Sequence, residues 1–252
     1  MRLEHITWPK AEEYFKTNDM VIIAVGSVES HGTHNPLGVD TIVPNKILEL
    51  IEEKSNVLIA PTIPYGATDY LSDFPGTITL GPDVLYAVLS QVTQSFYRHG
   101  ARKFVFLNGH GGNNSSLERI SLDLSRKGAM AVLMNWWLMA WDLNPAWKGG
   151  HGGAEETSAV MAIDPSLVDT TNIQPMNLHN HITENIKTSG FKTVNFKGID
   201  LPMCRPITSF TNNGWVGADH PEQATAQWGK EMLQAVADYI VEFMEEFKKA
   251  EL

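Results

Sequence analysis

The chain contains one cysteine, Cys204. No intramolecular disulfide can staple it, which excludes the small secreted scaffolds that rely on such bridges. It also lacks any stretch near the roughly 20 uninterrupted apolar residues that a membrane helix needs. Its first residues, MRLEHITWPKAEEYF, put charges where a secretory leader would carry an apolar run. The expectation is a cytoplasmic protein. Positive charge is in short supply: 19 Lys and Arg stand against 29 Asp and Glu, for a formal net charge of −10. That balance argues against nonspecific binding to nucleic acid or to an anionic membrane. Internal repeats and low-complexity linkers are absent. So is a Gly-x-Ser-x-Gly nucleophile motif, and Cys204 lies in a Pro-rich loop with no sign of activation. No dinucleotide glycine fingerprint follows the first apolar run, so a nucleotide-binding Rossmann protein is excluded as well.

What is present is a chain of 252 residues, 43% hydrophobic, long enough to bury a sizeable core and read as a single domain over 1–252. Short apolar runs alternate with longer amphipathic segments. Met20–Val25, Val57–Ala60, Lys103–Leu107 and Met130–Met134 read as buried strands. Val43–Glu53, Pro82–His99 and Asn113–Arg126 read as helices, and a final helix runs from about Pro221 to Lys249. Strands alternating with helices predict an α/β fold, a mostly parallel sheet covered on both faces. Sites in such folds form in loops at the carboxyl ends of strands. The polar residues fall there: Gly26–Gly32 follows the first strand, Asn108–Asn114 the third and Asn135–Trp137 the fourth.

Three segments carry candidate chemistry. In Glu29-Ser30-His31, extended backbone points residues i and i+2 to one side, so a carboxylate and an imidazole share a direction. Asp40 follows after a loop containing Gly and Pro. These ligand types suit Zn²⁺, Mn²⁺ or Fe²⁺, although the same residues serve equally well as loop groups capping the backbone. In Asn108-Gly109-His110-Gly111-Gly112-Asn113, the glycines permit close approach of another group beside His110. An anion-binding glycine loop is the other reading, but the segment lacks the Lys of a P-loop. Asn113 suits a helix cap. In the third segment His151 sits among glycines, and Glu155 and Glu156 open a helix ending near Ile163. First-turn glutamates are also explained by the helix dipole. The other histidines have no comparable setting, His34 being the least settled.

Taken together, these motifs resemble the creatininase (creatinine amidohydrolase) family. The likeness rests on Glu29-Ser30-His31-Gly32 with Asp40, on Asn108-Gly109-His110, on His151-Gly152-Gly153 with Glu156-Thr157-Ser158, and on Gly214–Pro221 with Ala224-Thr225-Ala226. It implies a three-layer α/β/α sandwich, a homohexamer and two divalent metal ions per chain, zinc, manganese or iron. It implies Glu29, His31, Asp40 and His110 as ligands, with Asp40 bridging, and His151 as the catalytic histidine. Trp136 and Trp147 fall where creatininase has pocket tryptophans, and Gly111 and Gly112 border the same pocket. One departure is plain: Gly112 stands where creatininase has a glutamate ligand. That leaves one metal with only His31 and Asp40, where catalytic zinc usually keeps three protein ligands. Glu156 is the expected replacement, while Glu155, about 100° further around the helix, is expected to face elsewhere. The predicted activity is hydrolysis of a non-peptide C–N bond in a small cyclic amide or formamide, with His151 passing a proton to the leaving nitrogen. The competing readings are a noncatalytic binder of the same fold and a maturation peptidase.

Overall fold

The computed structural model describes residues 1–179 and 181–251. Helix α1 (Trp8–Thr17) precedes β1 (Met20–Val25), then α2 (Val39–Glu52), β2 (Leu58–Ile59), α3 (Gly81–Arg98), β3 (Lys103–Asn108), α4 (Asn114–Ser125) and β4 (Met130–Asn135). Two helices follow directly, α5 (Trp136–Leu143) and α6 (Ala154–Ile163). Then come three short strands, β5 (Ile186–Gly190), β6 (Thr193–Phe196) and β7 (Ile199–Pro202), and the long α7 (Ala226–Phe247).

The main sheet runs β2-β1-β3-β4, and every pairing is parallel. Every residue of β1 and β3 is buried, as expected for strands covered on both faces. Alternation along β1 divides the core in two. Met20, Ile22 and Ala24 pack with α2, α6 and α7 residues such as Val43, Val160 and Val236. Val21, Ile23 and Val25 pack with α1, α3 and α4 residues such as Tyr14, Leu89 and Leu117. The result is the expected three-layer sandwich. Tyr14 fastens α1 to the sheet: its hydroxyl donates to the Met20 carbonyl at 2.7 Å and accepts from the Leu58 amide at 3.1 Å. Tyr14→Phe is expected to cost about 1–3 kcal/mol, the usual cost of leaving such buried partners unpaired, read as a lower urea midpoint at unchanged slope. Burial pushes the Tyr14 hydroxyl up to about 12, so the folded chain keeps that proton longer than the unfolded chain. The wild-type protein therefore loses stability as pH rises from 10 through about 12, and Tyr14→Phe lacks that component.

Register sets the position of the site. Val25 pairs with Asn108 and Asn108 with Asn135, so β1, β3 and β4 end level and release their loops at one edge. Helix α2 begins four residues earlier than its sequence pattern implies, and Asp40 lies in its first turn. Pro44 obscured this start, because proline normally marks a helix's first turn whereas here it sits inside one. Lacking an N–H, Pro44 cannot bond the Asp40 carbonyl. A Cβ on Gly109 would lie 1.9 Å from that carbonyl oxygen, so only glycine lets the end of β3 pass this close to α2. The antiparallel sheet β5-β6-β7 was not anticipated. Its β6–β7 turn is Lys197-Gly198, both at positive φ, the tight turn that matches strand twist.

Candidate metal centre

Five of the side chains singled out in the sequence converge beyond the ends of β1 and β3. Glu29, His31 and Asp40 are buried, His110 is 8% exposed, and Glu156 is partly buried. Nδ1 of His110 lies 3.1 Å from both Glu29 Oε1 and Asp40 Oδ2. Nε2 of His31 lies 3.0 Å from Asp40 Oδ1, 3.6 Å from Glu156 Oε2 and 3.9 Å from Glu29 Oε1. The donors form two triads, Glu29-Asp40-His110 and His31-Asp40-Glu156, with ligand atoms in each within 4.8 Å of one another. Asp40 belongs to both, one oxygen toward each imidazole. A third grouping joins Glu29, His31 and His151.

The backbone holds each imidazole in place. A carbonyl only accepts, so the nitrogen facing it carries the proton. Nδ1 of His31 donates to the Glu29 carbonyl at 3.1 Å, Nε2 of His110 to the Ala67 carbonyl at 3.1 Å, and Nε2 of His151 to the Ser30 carbonyl at 2.8 Å. In each ring the other nitrogen is left facing the cluster, the orientation that metal-ligating histidines need. Ser27 Oγ donates to Glu29 Oε2 at 3.1 Å, and the Gly152 amide to Glu156 Oε2 at 2.7 Å. Behind them Asn113 accepts from the Ala67 amide and donates to the Gly26 carbonyl and to Asn108 Oδ1, tying three loops together. Asn113 does not cap its own helix.

Electrostatics and hydrogen bonding both leave room for a cation. Glu29 Oε1 and Asp40 Oδ2 are buried, and Nδ1 of His110, 3.1 Å from both, is the nearest polar group each faces. Burial alone would lower the His31 pKa, yet Asp40, Glu156 and Glu29 push it up to about 10, and Glu29 and Asp40 raise His110. Asp40 is held below the ordinary carboxylate range by the two imidazoles despite its burial. Burial raises Glu156 to about 7. The donor set, two imidazoles and three carboxylates, fits divalent ions. His151 differs: burial and the neighbouring His31 charge hold it well below its usual value, so it is a neutral imidazole.

A cavity of about 420 Å³ opens over the cluster, lined by Gly111, Gly112, His151 and both glutamates of α6. The expectation that Glu155 faces elsewhere is corrected. It lines this cavity, 1% exposed, and burial pushes it up to about 9, although its carboxylate belongs to neither triad. The pair of pocket tryptophans is also placed differently. Trp136 is 1% exposed in the core, and of the three partly buried tryptophans that pack against that core, Trp137 and Trp141 line the cavity and Trp147 does not. The reason is helical spacing: α5 starts at Trp136, and residues i and i+4 share a face. Gly112 leaves no room for a glutamate, since a Cβ there would lie 2.1 Å from the Ala67 carbonyl oxygen. His34 is buried against Thr157, outside the triads. Sequence reading missed Tyr70, Phe191 and Lys192, which come to the cavity from distant loops. A larger groove of about 1380 Å³ between α1 and α3 contains none of these residues.

The fold and site together define an α/β protein with a parallel sheet whose strand ends gather buried carboxylates and imidazoles able to hold a metal ion. The family model for creatininase, creatinine amidohydrolase, matches residues 4–244, and the chain belongs to this family of hydrolases. Creatinine amidohydrolase of Pseudomonas putida is 30% identical over 187 residues, 65% of this chain and 72% of that protein. A mycofactocin precursor peptide peptidase of Mycolicibacterium smegmatis is 32% identical over 157 residues, 60% of each chain. A 3-dehydro-scyllo-inosose hydrolase of Thermotoga maritima is 27% identical over 252 residues, 93% of this chain and 79% of that protein. Among solved structures, a creatininase described as "Creatininase Mn" superposes with a TM-score of 0.76 at 23% identity, covering 99% of both chains. A creatininase mutant of "Zn-Zn type" reaches 0.74, also at 23% identity, over 99% of this chain and 98% of that one. No helix among the described residues is long and apolar enough to cross a membrane.

Proposed function

We propose that this protein is a two-metal amidohydrolase that cleaves a non-peptide C–N bond in a small cyclic amide or formamide. The observation that carries the reading is the pair of buried triads sharing Asp40 on the floor of a cavity. Glu29, Asp40 and His110 would hold one ion, and His31, Asp40 and Glu156 the other. Bound there, zinc, manganese or iron would supply Lewis acidity, lowering the pKa of water and polarising a carbonyl. The chain's own part is to orient and to move a proton. With its Nε2–H given to Ser30, His151 offers a free Nδ1 lone pair 3.8 Å from Glu29 Oε1, suited to take a proton and return it to the leaving nitrogen. Gly111 and Gly112 let the substrate approach the backbone, and Trp137 and Trp141 supply apolar walls. A cavity of about 420 Å³ suits a small molecule better than an extended peptide. Assembly as a homohexamer in the cytoplasm belongs to the same proposal.

Loading the protein with each metal and assaying cyclic amides, formamides and short peptides tests the reading. Turnover of a cyclic amide or formamide, abolished by a chelator and restored by metal, is expected. Full loading with no such turnover would favour a noncatalytic binder, and turnover confined to peptides would favour a peptidase. The two α6 glutamates give a finer check. Glu156→Gln is expected to lose one of two ions per chain, with affinity lowered on the order of tenfold to a hundredfold. Glu155→Gln is expected to retain both. Elemental analysis after dialysis reads the outcome, and the assignment fails if only Glu155→Gln loses an ion.

A further inference from the structure

The tip of the β5–β6 hairpin bends over the cavity. Phe191 packs edge-on against the His151 ring at 4.9 Å and faces Tyr70 at 6.2 Å. Next to it, Lys192 lines the cavity, with Nζ 5.9 Å from the Tyr70 ring. The Lys192 carbonyl accepts from the Met203 amide at 2.9 Å, which fixes this tip to the strand beside it. Lys192 is the one Lys or Arg among the described residues lining the cavity, and no described carboxylate lies within ion-pair distance of it.

Charge arithmetic then constrains the substrate. Four carboxylates line the cavity: Glu29, Asp40, Glu155 and Glu156. With all four ionised, two divalent ions would neutralise them, and while the metals carry water rather than hydroxide Lys192 leaves one positive charge in surplus. A low-dielectric cavity with surplus positive charge attracts anions, and an unpaired ammonium at its mouth can take a carboxylate by a charge-assisted hydrogen bond. We propose that Lys192 selects amides bearing a carboxylate, with the carboxylate on the ammonium and the scissile amide over the Asp40 triads. This inference rests on the two-metal reading above and adds the substrate's charge to it.

Calorimetric titration of the zinc-loaded protein with N-formylglycine and N-formylglycinamide tests it, because the two probes differ only in the carboxylate. Wild type is expected to bind N-formylglycine about tenfold more tightly, the size of effect one charge-assisted contact gives. K192R keeps the preference, K192M reduces it to less than about twofold, and K192E reverses it. Lys192 is exposed, so these variants are expected to keep the wild-type melting temperature. Equal binding of the two probes, no binding of N-formylglycine, or a preference that survives in K192M would overturn the proposal; in the last case the metals themselves hold the carboxylate. Binding is read without turnover, so the two readings can fail separately. A Lys192-dependent preference with no amide cleaved sinks the hydrolase reading alone. Cleavage indifferent to Lys192 sinks this one alone.

Discussion

Asp40→Asn is expected to strip both metal sites at once. Each Asp40 oxygen faces a different imidazole, Oδ1 toward His31 and Oδ2 toward His110, so one side chain belongs to both triads. Asparagine keeps the shape but removes the charge and replaces one oxygen with an NH₂ that cannot ligate. Loss of an outer-shell partner alone typically costs tenfold to a hundredfold in metal affinity. Losing a shared ligand is therefore expected to cost at least on the order of a hundredfold for each ion, and activity should fall by about a thousandfold. The sheet core lies behind the site, so far-UV circular dichroism should be unchanged. Retention of two ions per chain at wild-type affinity would show that Asp40 does not bridge.

The second large effect is expected from His151→Gln. If His151 moves the proton, kcat should fall by about 10² to 10⁴ while KM and metal content stay near wild type, as for loss of a general acid–base group. His151 also belongs to the third grouping, with Glu29 and His31, so the same variant discriminates between roles. Loss of an ion would make His151 a ligand. A kcat within about threefold of wild type would remove it from the chemistry altogether.

Much of this architecture was legible in the sequence because β1 and β3 are buried on both faces and therefore read as unbroken apolar runs. The ligand-type residues were legible for a related reason. Glu29, His31 and His110 lie in the loops that follow those strands, where sites in parallel α/β sheets form. Asp40 was recognised as a residue but placed in the loop before its helix, since Pro44 masked the start of α2. Trp136 falls on the core side of α5 and Trp137 on the cavity side because one residue of helix phase decides between them, and the boundary between β4 and α5 sets that phase; Trp147 lies beyond α5 in a separate turn. Glu155 was expected to face elsewhere because a rotation angle says where a side chain points but not how far the cavity extends. Phe191 and Lys192 reach the cavity from a hairpin remote in sequence, and no local pattern announces such a contact. The Lys197-Gly198 turn between alternating residues was a signal that could have revealed the hairpin.

The central claim is that two divalent ions share Asp40. Anomalous diffraction from crystals grown with zinc or manganese tests it most directly, because it locates each ion independently of activity or substrate. The predicted result is two peaks per chain, one among Glu29, Asp40 and His110 and the other among His31, Asp40 and Glu156. A single peak, or two peaks of which one is not in contact with Asp40, would contradict the account.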